Sequence, residues 1–201
     1  MKAGSLLVFE GIDGSGKSTQ LELLASALEA AGHQVVRSAE PYDCEAGRLI
    51  RAMARSGRPV APEQELTWFW EQRREHVRDV IAPALQAGRV VLSDRYFLST
   101  VAYQGARGLD AEKLLAESEA EFPLPALVLL LEITPEAGLS RVSGRDRAHE
   151  PVFEDRSFLT RAAGIFRDLD RDYIARIGAD RPAADVHRAV AEIVSSRLGL
   201  L

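Results

Sequence analysis

One stretch decides the fold of this chain: Leu6-Leu7-Val8-Phe9-Glu10-Gly11-Ile12-Asp13-Gly14-Ser15-Gly16-Lys17-Ser18-Thr19. Its apolar first part is typical of a buried strand, and Gly11 to Ser18 then match G-x-x-x-x-G-K-S, the phosphate-binding P-loop. The glycines let the backbone turn tightly and direct its N–H groups at phosphate oxygens. From Thr19 onward, leucines at helical spacing predict a helix whose positive end faces those phosphates. The stretch therefore predicts a site for a nucleoside triphosphate.

The motif gives individual residues of the loop a role. Lys17 is expected to reach the β- and γ-phosphates of ATP, and the Ser18 hydroxyl is expected to hold Mg²⁺. A glycine-rich turn with an incidental lysine is the alternative, which the agreement of strand, loop and helix disfavours. The predicted ATP-binding residues are Gly11, Ile12, Asp13, Gly14, Ser15, Gly16, Lys17, Ser18 and Thr19.

Composition and charge limit the classes of function. The 201 residues suit a single domain, which we expect to span residues 1–201, and the net charge of −5 argues against nucleic-acid binding. Cys44 is the only cysteine, so no intrachain disulfide is expected, and the four histidines lack zinc-ligand spacing. The sequence shows neither a long apolar run nor a signal-peptide pattern, which predicts a cytoplasmic protein without a membrane partner.

Strand and helix patterns alternate along the chain. This alternation predicts an α/β fold of three layers, with a mostly parallel five-stranded sheet covered by helices on both faces. The predicted strands are Ser5–Glu10, Gln34–Ala39, Arg89–Ser93, Ala126–Ile133 and a weaker Tyr173–Ile177. The predicted helices are Lys17–Ala31, Glu45–Ser56, a long Glu63–Ala87 bent at Pro83, Leu98–Tyr103, Ala111–Ser118, one beginning at Thr134-Pro135, Asp155–Asp170 and Ala183–Leu198.

A carboxylate and a guanidinium follow the third predicted strand. Asp94 stands where P-loop enzymes place a residue that helps to hold Mg²⁺, although many strands end in Asp for reasons of turn geometry. The adjacent Arg95 is suited to a phosphate. The pair favours phosphoryl transfer between two phosphorylated molecules.

Two further segments carry candidate residues. Phe69 and Arg73 are four apart on one predicted helix and share a face, where a ring and a fork of donors could bind a base; a core position for Phe69 is the alternative. Trp68 and Trp70 are interpreted as packing residues. The polar segment 143–154 contains Arg145 and Arg147 and is interpreted either as a lid over ATP or as a solvated loop.

The chain resembles the thymidylate kinase family of P-loop nucleoside monophosphate kinases over nearly its whole length. The resemblance depends on the P-loop, on Phe69 and Arg73, on Asp94-Arg95-Tyr96, and on the long specific run from Ser99 to Gly105. It implies the P-loop kinase fold with a small lid at about 143–154. It also implies phosphoryl transfer from ATP to dTMP, with Mg²⁺ as cofactor and a homodimer as the assembly.

The resemblance also implies residue roles. Phe69 would stack on thymine and Arg73 would contact its carbonyl, while Asp13 and Tyr103 would approach the deoxyribose. Because Gly14 leaves the P-loop without an arginine, the lid is expected to supply the catalytic cation. The implied substrate-binding residues are Asp13, Glu40, Arg51, Phe69, Arg73, Arg95, Ser99, Tyr103 and Gln104. The implied catalytic residues are Lys17, Arg95, Arg145, Arg147 and Asp13, and the implied metal-binding residues are Ser18 and Asp94.

Two segments depart from the family pattern. Ala39-Glu40-Pro41-Tyr42-Asp43-Cys44 keeps only the Glu-Pro pair, and Pro151-Val152-Phe153-Glu154 replaces the lid's usual ending. They leave two alternatives open: a kinase for another deoxynucleotide or a deoxynucleoside, with Glu40 as base toward a 5′-hydroxyl, and a nucleotide-binding homologue with weakened catalysis. A GTP-switch protein is disfavoured because the sequence has no asparagine, and therefore no Asn-Lys-x-Asp motif.

Overall fold

The computed structural model describes residues 4–143, 152 and 155–201, in which strands and helices alternate. The strands are β1 (Ser5–Glu10), β2 (Val35–Ala39), β3 (Val90–Asp94), β4 (Leu127–Glu132) and β5 (Ile174–Gly178). The helices are α1 (Lys17–Ala30), α2 (Glu45–Ser56), α3 (Pro62–His76), α4 (Ala82–Gln86), α5 (Phe97–Ala106), α6 (Ala111–Glu121), α7 (Pro135–Ser143), α8 (Arg156–Asp168) and α9 (Ala183–Leu198).

The five strands form one sheet in the order β2-β3-β1-β4-β5, and every described pair is parallel. The central strands β1 and β4 are nearly continuous runs of buried apolar residues, as expected for strands covered on both faces. The predicted α/β fold is confirmed, including the weaker fifth strand. Because all strands run the same way, their carboxyl ends meet at one edge, where P-loop proteins bind ligands.

Helices cover the sheet on both faces and enclose two apolar cores. One core contains Val8 and Val91 of the sheet with side chains of α5 and α8, such as Val101 and Leu159. The other contains Leu7 of β1 with residues of α1 and α9. Within the described ranges, no helix combines the length and apolar character needed to cross a bilayer.

The long helix predicted over Glu63–Ala87 is interrupted earlier than expected. Between α3 and α4, Val77–Ile81 form a π-helical turn, and the Ala82 N–H donates to the Val77 carbonyl five residues before it. Pro83 has no N–H, and its ring crowds the carbonyl of Asp79, which lies inside this wider turn. The proline thus acts on the turn before it instead of bending the helix at its own position.

The other differences are small. β3 includes Asp94, α5 extends to Ala106 and α6 to Glu121. The lid expected over 143–154, with Arg145 and Arg147, lies almost entirely outside the described residues.

Candidate active site

The P-loop connects β1 to α1 and holds the Lys17 ammonium above its own backbone. Lys17 Nζ donates to the carbonyls of Gly11 at 3.1 Å and Ile12 at 3.0 Å. Burial lowers the pKa of Lys17 to about 8, and the nearby Arg95 guanidinium acts in the same direction. The ammonium is therefore fixed at the carboxyl edge of the sheet, beside the amino end of α1 where phosphates bind.

The structure brings together the two residues predicted to hold a metal. Ser18 Oγ donates to Asp94 Oδ2 at 2.5 Å, although the two residues are far apart in sequence. A hydroxyl and a carboxylate are hard oxygen ligands, and Mg²⁺ binds proteins through one or two such groups while keeping its waters and substrate phosphates. Among the described residues, no group of three or more Asp, Glu, His or Cys is placed so that it could hold a metal ion. The pair therefore fits Mg²⁺ better than a metal that needs a full protein cage.

Arg95 lies at the centre of the site in an unusual backbone conformation. Its φ is 73°, and no other described non-glycine residue has a positive φ. Its Nη2 donates to Asp13 Oδ1 at 2.8 Å, and its Nη1 donates to Ser99 Oγ at 2.8 Å. Nη2 also lies 3.3 Å from the Tyr103 hydroxyl. Arg95, after the end of β3, thus directly contacts three other predicted site residues: Asp13 of the P-loop, and Ser99 and Tyr103 of α5.

A second cluster surrounds Arg73 on α3. Arg73 Nε and Nη2 both donate to the Glu40 carboxylate, and Nη2 also donates to Thr100 Oγ1 at 2.8 Å. The guanidinium carbon lies 5.3 Å from the ring centres of both Tyr96 and Phe122. Arg73 Nη1 is buried and finds no hydrogen-bond partner among the described residues. This nitrogen is available to an acceptor on a ligand.

Residues that the sequence did not single out hold Glu40 in place. Gln72 Nε2 donates to Glu40 Oε2 at 3.0 Å, and His76 Nδ1 lies 3.0 Å from Oε1. Ser38 Oγ lies 2.5 Å from the other ring nitrogen of His76. Burial alone would raise the pKa of Glu40, but the Arg73 guanidinium and the hydrogen bond with His76 outweigh it and hold that pKa below its ordinary value. Glu40 is therefore an ionised counter-charge for Arg73.

These two clusters line one cavity between the P-loop, α2, α3 and α5. Of the predicted substrate-binding residues, the cavity wall contains Asp13, Glu40, Arg51, Phe69, Arg73, Arg95, Ser99 and Tyr103. Tyr96, Thr100, Ile50, Ala54 and Pro41 complete the wall. Phe69 is half-buried, whereas its neighbours Trp68 and Trp70 pack against the apolar core.

Gln104 lies elsewhere. It is wholly buried but is not part of the cavity wall, and its Nε2 donates to Glu65 Oε1 at 2.7 Å. Glu65 also pairs with Arg107. A substrate contact for Gln104 stays a prediction.

A second cavity opens on the other side of the P-loop, next to Gly14, Ser15, Gly16 and Thr19. Arg141 of α7 and Arg181 of the loop after β5 line it. Arg141 Nη1 donates to the Ala179 carbonyl at 3.1 Å. No motif in the sequence marks these arginines, because their place beside the P-loop depends on how α7 and β5 pack.

The backbone of the P-loop packs directly against the backbone of α7. A Cβ added to Gly14, whose φ is +81°, would lie 2.3 Å from the Gly138 carbonyl oxygen, and a Cβ added to Gly138 would lie 2.5 Å from the Asp13 oxygen. Neither position has room for a side chain.

The nucleotide end of the P-loop and the arginine-lined cavity share Asp13, so two phosphorylated molecules bound there would meet at Lys17 and Arg95. That arrangement defines a P-loop nucleoside monophosphate kinase. A sequence model of the family described as Thymidylate kinase matches residues 9–190. The chain belongs to the thymidylate kinase family.

The similarity to known proteins extends over nearly the whole chain. A thymidylate kinase of Desulfotalea psychrophila is 41% identical over 187 residues, which cover 93% of this chain and 92% of the relative. One of Akkermansia muciniphila is 40% identical and covers 98% and 94%. One of Ruegeria pomeroyi is 42% identical and covers 97% and 96%.

Proposed function

We propose that this protein transfers the γ-phosphoryl group of ATP to dTMP, giving ADP and dTDP. The observation that carries the proposal is the single cavity that holds Arg73 at one end and Arg95 at the other, next to the P-loop. One end suits a base and the other suits a phosphate. The relatives that carry the name thymidylate kinase support the same acceptor.

At the base end, the half-buried Phe69 ring offers a stacking surface for thymine. Arg73 Nη1, buried and without a partner among the described residues, donates to a pyrimidine carbonyl. The ion pair with Glu40 fixes the orientation of this guanidinium. Because an ionised, fully engaged carboxylate is a weak base, the geometry disfavours the alternative in which Glu40 activates the 5′-hydroxyl of a deoxynucleoside.

At the phosphate end, Arg95 and Arg51 bind the acceptor phosphate, and Asp13 orients Arg95. An acceptor phosphate is already a competent nucleophile, so the reaction needs positioning and neutralisation of charge more than a general base. Lys17 binds the β- and γ-phosphates of ATP. The adenosine part of ATP is assigned to the cavity between Arg141 and Arg181.

Ser18 and Asp94 would hold Mg²⁺, and the ion would supply positive charge against the negative charge that develops on the ATP phosphates. Arg145 and Arg147 are proposed to supply further positive charge from the lid, and their sequence position carries this assignment. Since Gly14 has no side chain, the P-loop itself offers only Lys17 as a cation.

The decisive experiment is a coupled ADP-release assay with ATP and Mg²⁺ against a panel of acceptors. The panel contains dTMP, dUMP, dCMP, dGMP, UMP and thymidine. We expect dTMP to have the highest kcat/KM and thymidine to give no turnover. Highest turnover with thymidine would establish the deoxynucleoside kinase, and binding of dTMP without turnover would establish the weakened homologue.

The homodimer and the cytoplasmic location implied by the family remain part of the proposal. Sedimentation equilibrium should give a mass of about twice the 22.0 kDa of the chain. Cell fractionation with a cytoplasmic marker checks the compartment. A monomer at micromolar concentration would contradict the proposed homodimer.

A further inference from the structure

Glu10, the last residue of β1, is a wholly buried carboxylate to which the proposed reaction assigns no role. It is not part of either cavity wall described above. Its Oε1 accepts the backbone N–H groups of Tyr96 at 2.9 Å and Ser99 at 3.1 Å. Tyr96 is the N-cap residue of α5 and Ser99 lies in its first turn, and the N-cap side chain makes no capping hydrogen bond of its own. From the end of the neighbouring strand β1, Glu10 thus supplies the hydrogen-bond acceptor that caps the amino end of α5.

The second oxygen of Glu10 connects to Arg95 through a hydroxyl. Ser99 Oγ donates to Glu10 Oε2 at 2.5 Å and accepts from Arg95 Nη1 at 2.8 Å. A carboxylate only accepts and a guanidinium only donates, so the direction of this chain is fixed. The Ser99 proton must point to Glu10, which leaves the oxygen lone pairs for Arg95.

The backbone of Arg95 needs such support. A positive φ at a residue with a side chain is strained and persists only where the surrounding structure holds it in place. The end of β1 supplies that support, because Arg95 N–H donates to the Phe9 carbonyl at 2.9 Å and the next amide, of Tyr96, donates to Glu10. The Phe9 carbonyl and the Glu10 carboxylate therefore hold the backbone around Arg95, and Glu10 also holds the Arg95 side chain through Ser99.

We propose that Glu10 is a positioning residue for the acceptor phosphate: it fixes the turn that carries Arg95 and, through Ser99, the orientation of the Arg95 guanidinium. The inference rests on the proposed function to the extent that Arg95 binds the phosphate of dTMP. Glu10 itself touches neither substrate.

A purely structural residue at this position would not need a charge. Burial raises the pKa of Glu10 to about 7, which shows that the environment disfavours the ionised form despite three hydrogen bonds. A neutral glutamine could still accept both α5 amides through its oxygen. Only the ionised carboxylate can also accept from the Ser99 hydroxyl while Ser99 accepts from Arg95.

Glu10→Gln tests the proposal because it keeps the shape and the capping oxygen but turns Oε2 into a donor. We expect kcat/KM for dTMP at pH 8 to fall 10- to 100-fold, with KM for ATP changed less than twofold. Calorimetric titration with dTMP should show a matching loss of affinity. Val194→Ala, in the opposite core, is the control for lost stability and should leave both substrate constants unchanged.

A double-mutant cycle separates positioning from a general effect on the fold. In an Arg95→Ala background, adding Glu10→Gln should change kcat/KM for dTMP less than twofold, since the residue it positions is gone. Ser99→Ala in the Glu10→Gln background should likewise add little. If the two substitutions of a double variant lower kcat/KM for dTMP by independent, multiplying factors, the inference is overturned, even if Glu10→Gln alone lowers activity.

Failure of the inference and failure of the proposed function give different results. A wild-type protein that neither binds nor phosphorylates dTMP overturns both. A wild-type protein that phosphorylates dTMP, with kcat/KM unchanged in Glu10→Gln, overturns only the role of Glu10. If Glu10→Gln is unfolded by circular dichroism, Ser99→Ala alone carries the test, and an unchanged affinity of that variant for dTMP overturns the relay.

Discussion

Arg73 and Glu40 form a buried ion pair, with Nη2 2.5 Å from Oε2 and neither side chain more than 2% exposed. Such pairs gain little net stability, because the desolvation of two charges offsets most of their attraction. What the pair does provide is orientation. With Nε and Nη2 held by Glu40, Nη1 of Arg73 is left without a hydrogen-bond partner among the described residues, on a side chain that lines the cavity.

Glu40→Gln should therefore harm both stability and base recognition. Removing one partner leaves an unpaired buried guanidinium, and we expect a loss of about 3–5 kcal/mol in the free energy of unfolding. KM for dTMP should rise at least about tenfold. Urea unfolding and steady-state kinetics measure the two effects. Glu121→Gln breaks the exposed pair with Arg74 and should cost less than about 1 kcal/mol.

Phe69→Ala should affect the acceptor and not ATP. Loss of the stacking surface is expected to cost roughly 1–3 kcal/mol of dTMP binding, seen as a higher KM for dTMP. The matched variant Trp68→Ala removes a packing ring of the same helix and should lower the melting temperature without a selective change in KM. A rise in KM for ATP alone would place Phe69 outside the acceptor site.

Lys17→Ala should abolish most catalysis while the fold persists. The ammonium interacts most strongly as charge develops on the transferring phosphoryl group, so we expect turnover to fall at least ~100-fold. Lys113→Ala serves as the control, because that side chain is 70% exposed and pairs with Glu117 on the surface of α6. Near-normal turnover of Lys17→Ala would contradict the P-loop assignment.

The double variant Arg145→Ala/Arg147→Ala tests the catalytic role of the lid. An arginine that neutralises the transition state contributes ~10³-fold or more in rate, whereas an exposed ion pair contributes less than about 1 kcal/mol to stability. We expect turnover to collapse while ATP still binds by calorimetry. Arg188→Ala on α9 removes an exposed arginine and should leave turnover intact. Retention of most turnover in the double variant would identify a solvated loop.

Glu10 should impose a pH dependence on stability. Its pKa rises from 4.5 to about 7 on folding, so the folded protein binds the extra proton between these values. Stability from this residue is therefore fully present below pH 4.5 and is lost as the pH rises through 7, by about 3 kcal/mol in total. Urea unfolding at pH 5, 6, 7 and 8 should show this loss in wild type relative to Glu10→Gln. A difference that is independent of pH would refute it.

Features that depend on local pattern could be predicted from the sequence. The P-loop needs only its glycines and the flanking strand and helix. The proximity of Ser18 and Asp94 could also be predicted, because the carboxyl ends of parallel strands lie at one edge of the sheet.

Features that depend on side-chain direction could not be predicted. Nothing in the sequence shows that His76 and Ser38 support Glu40, or that Gln104 turns toward Glu65, because these contacts arise from the packing of α3 against β2 and α5. The place of Arg141 could not be predicted for the same reason, since its hydrogen-bond acceptor is the backbone after β5.

The contact between Gly14 and Gly138 restricts how this kinase can change. An arginine at position 14 would add a cation to the P-loop, yet its Cβ would collide with the α7 backbone and require a left-handed conformation that arginine disfavours. α7 would have to shift at the same moment. A cationic side chain can therefore be added at position 14 of the P-loop only together with a change in the position of α7.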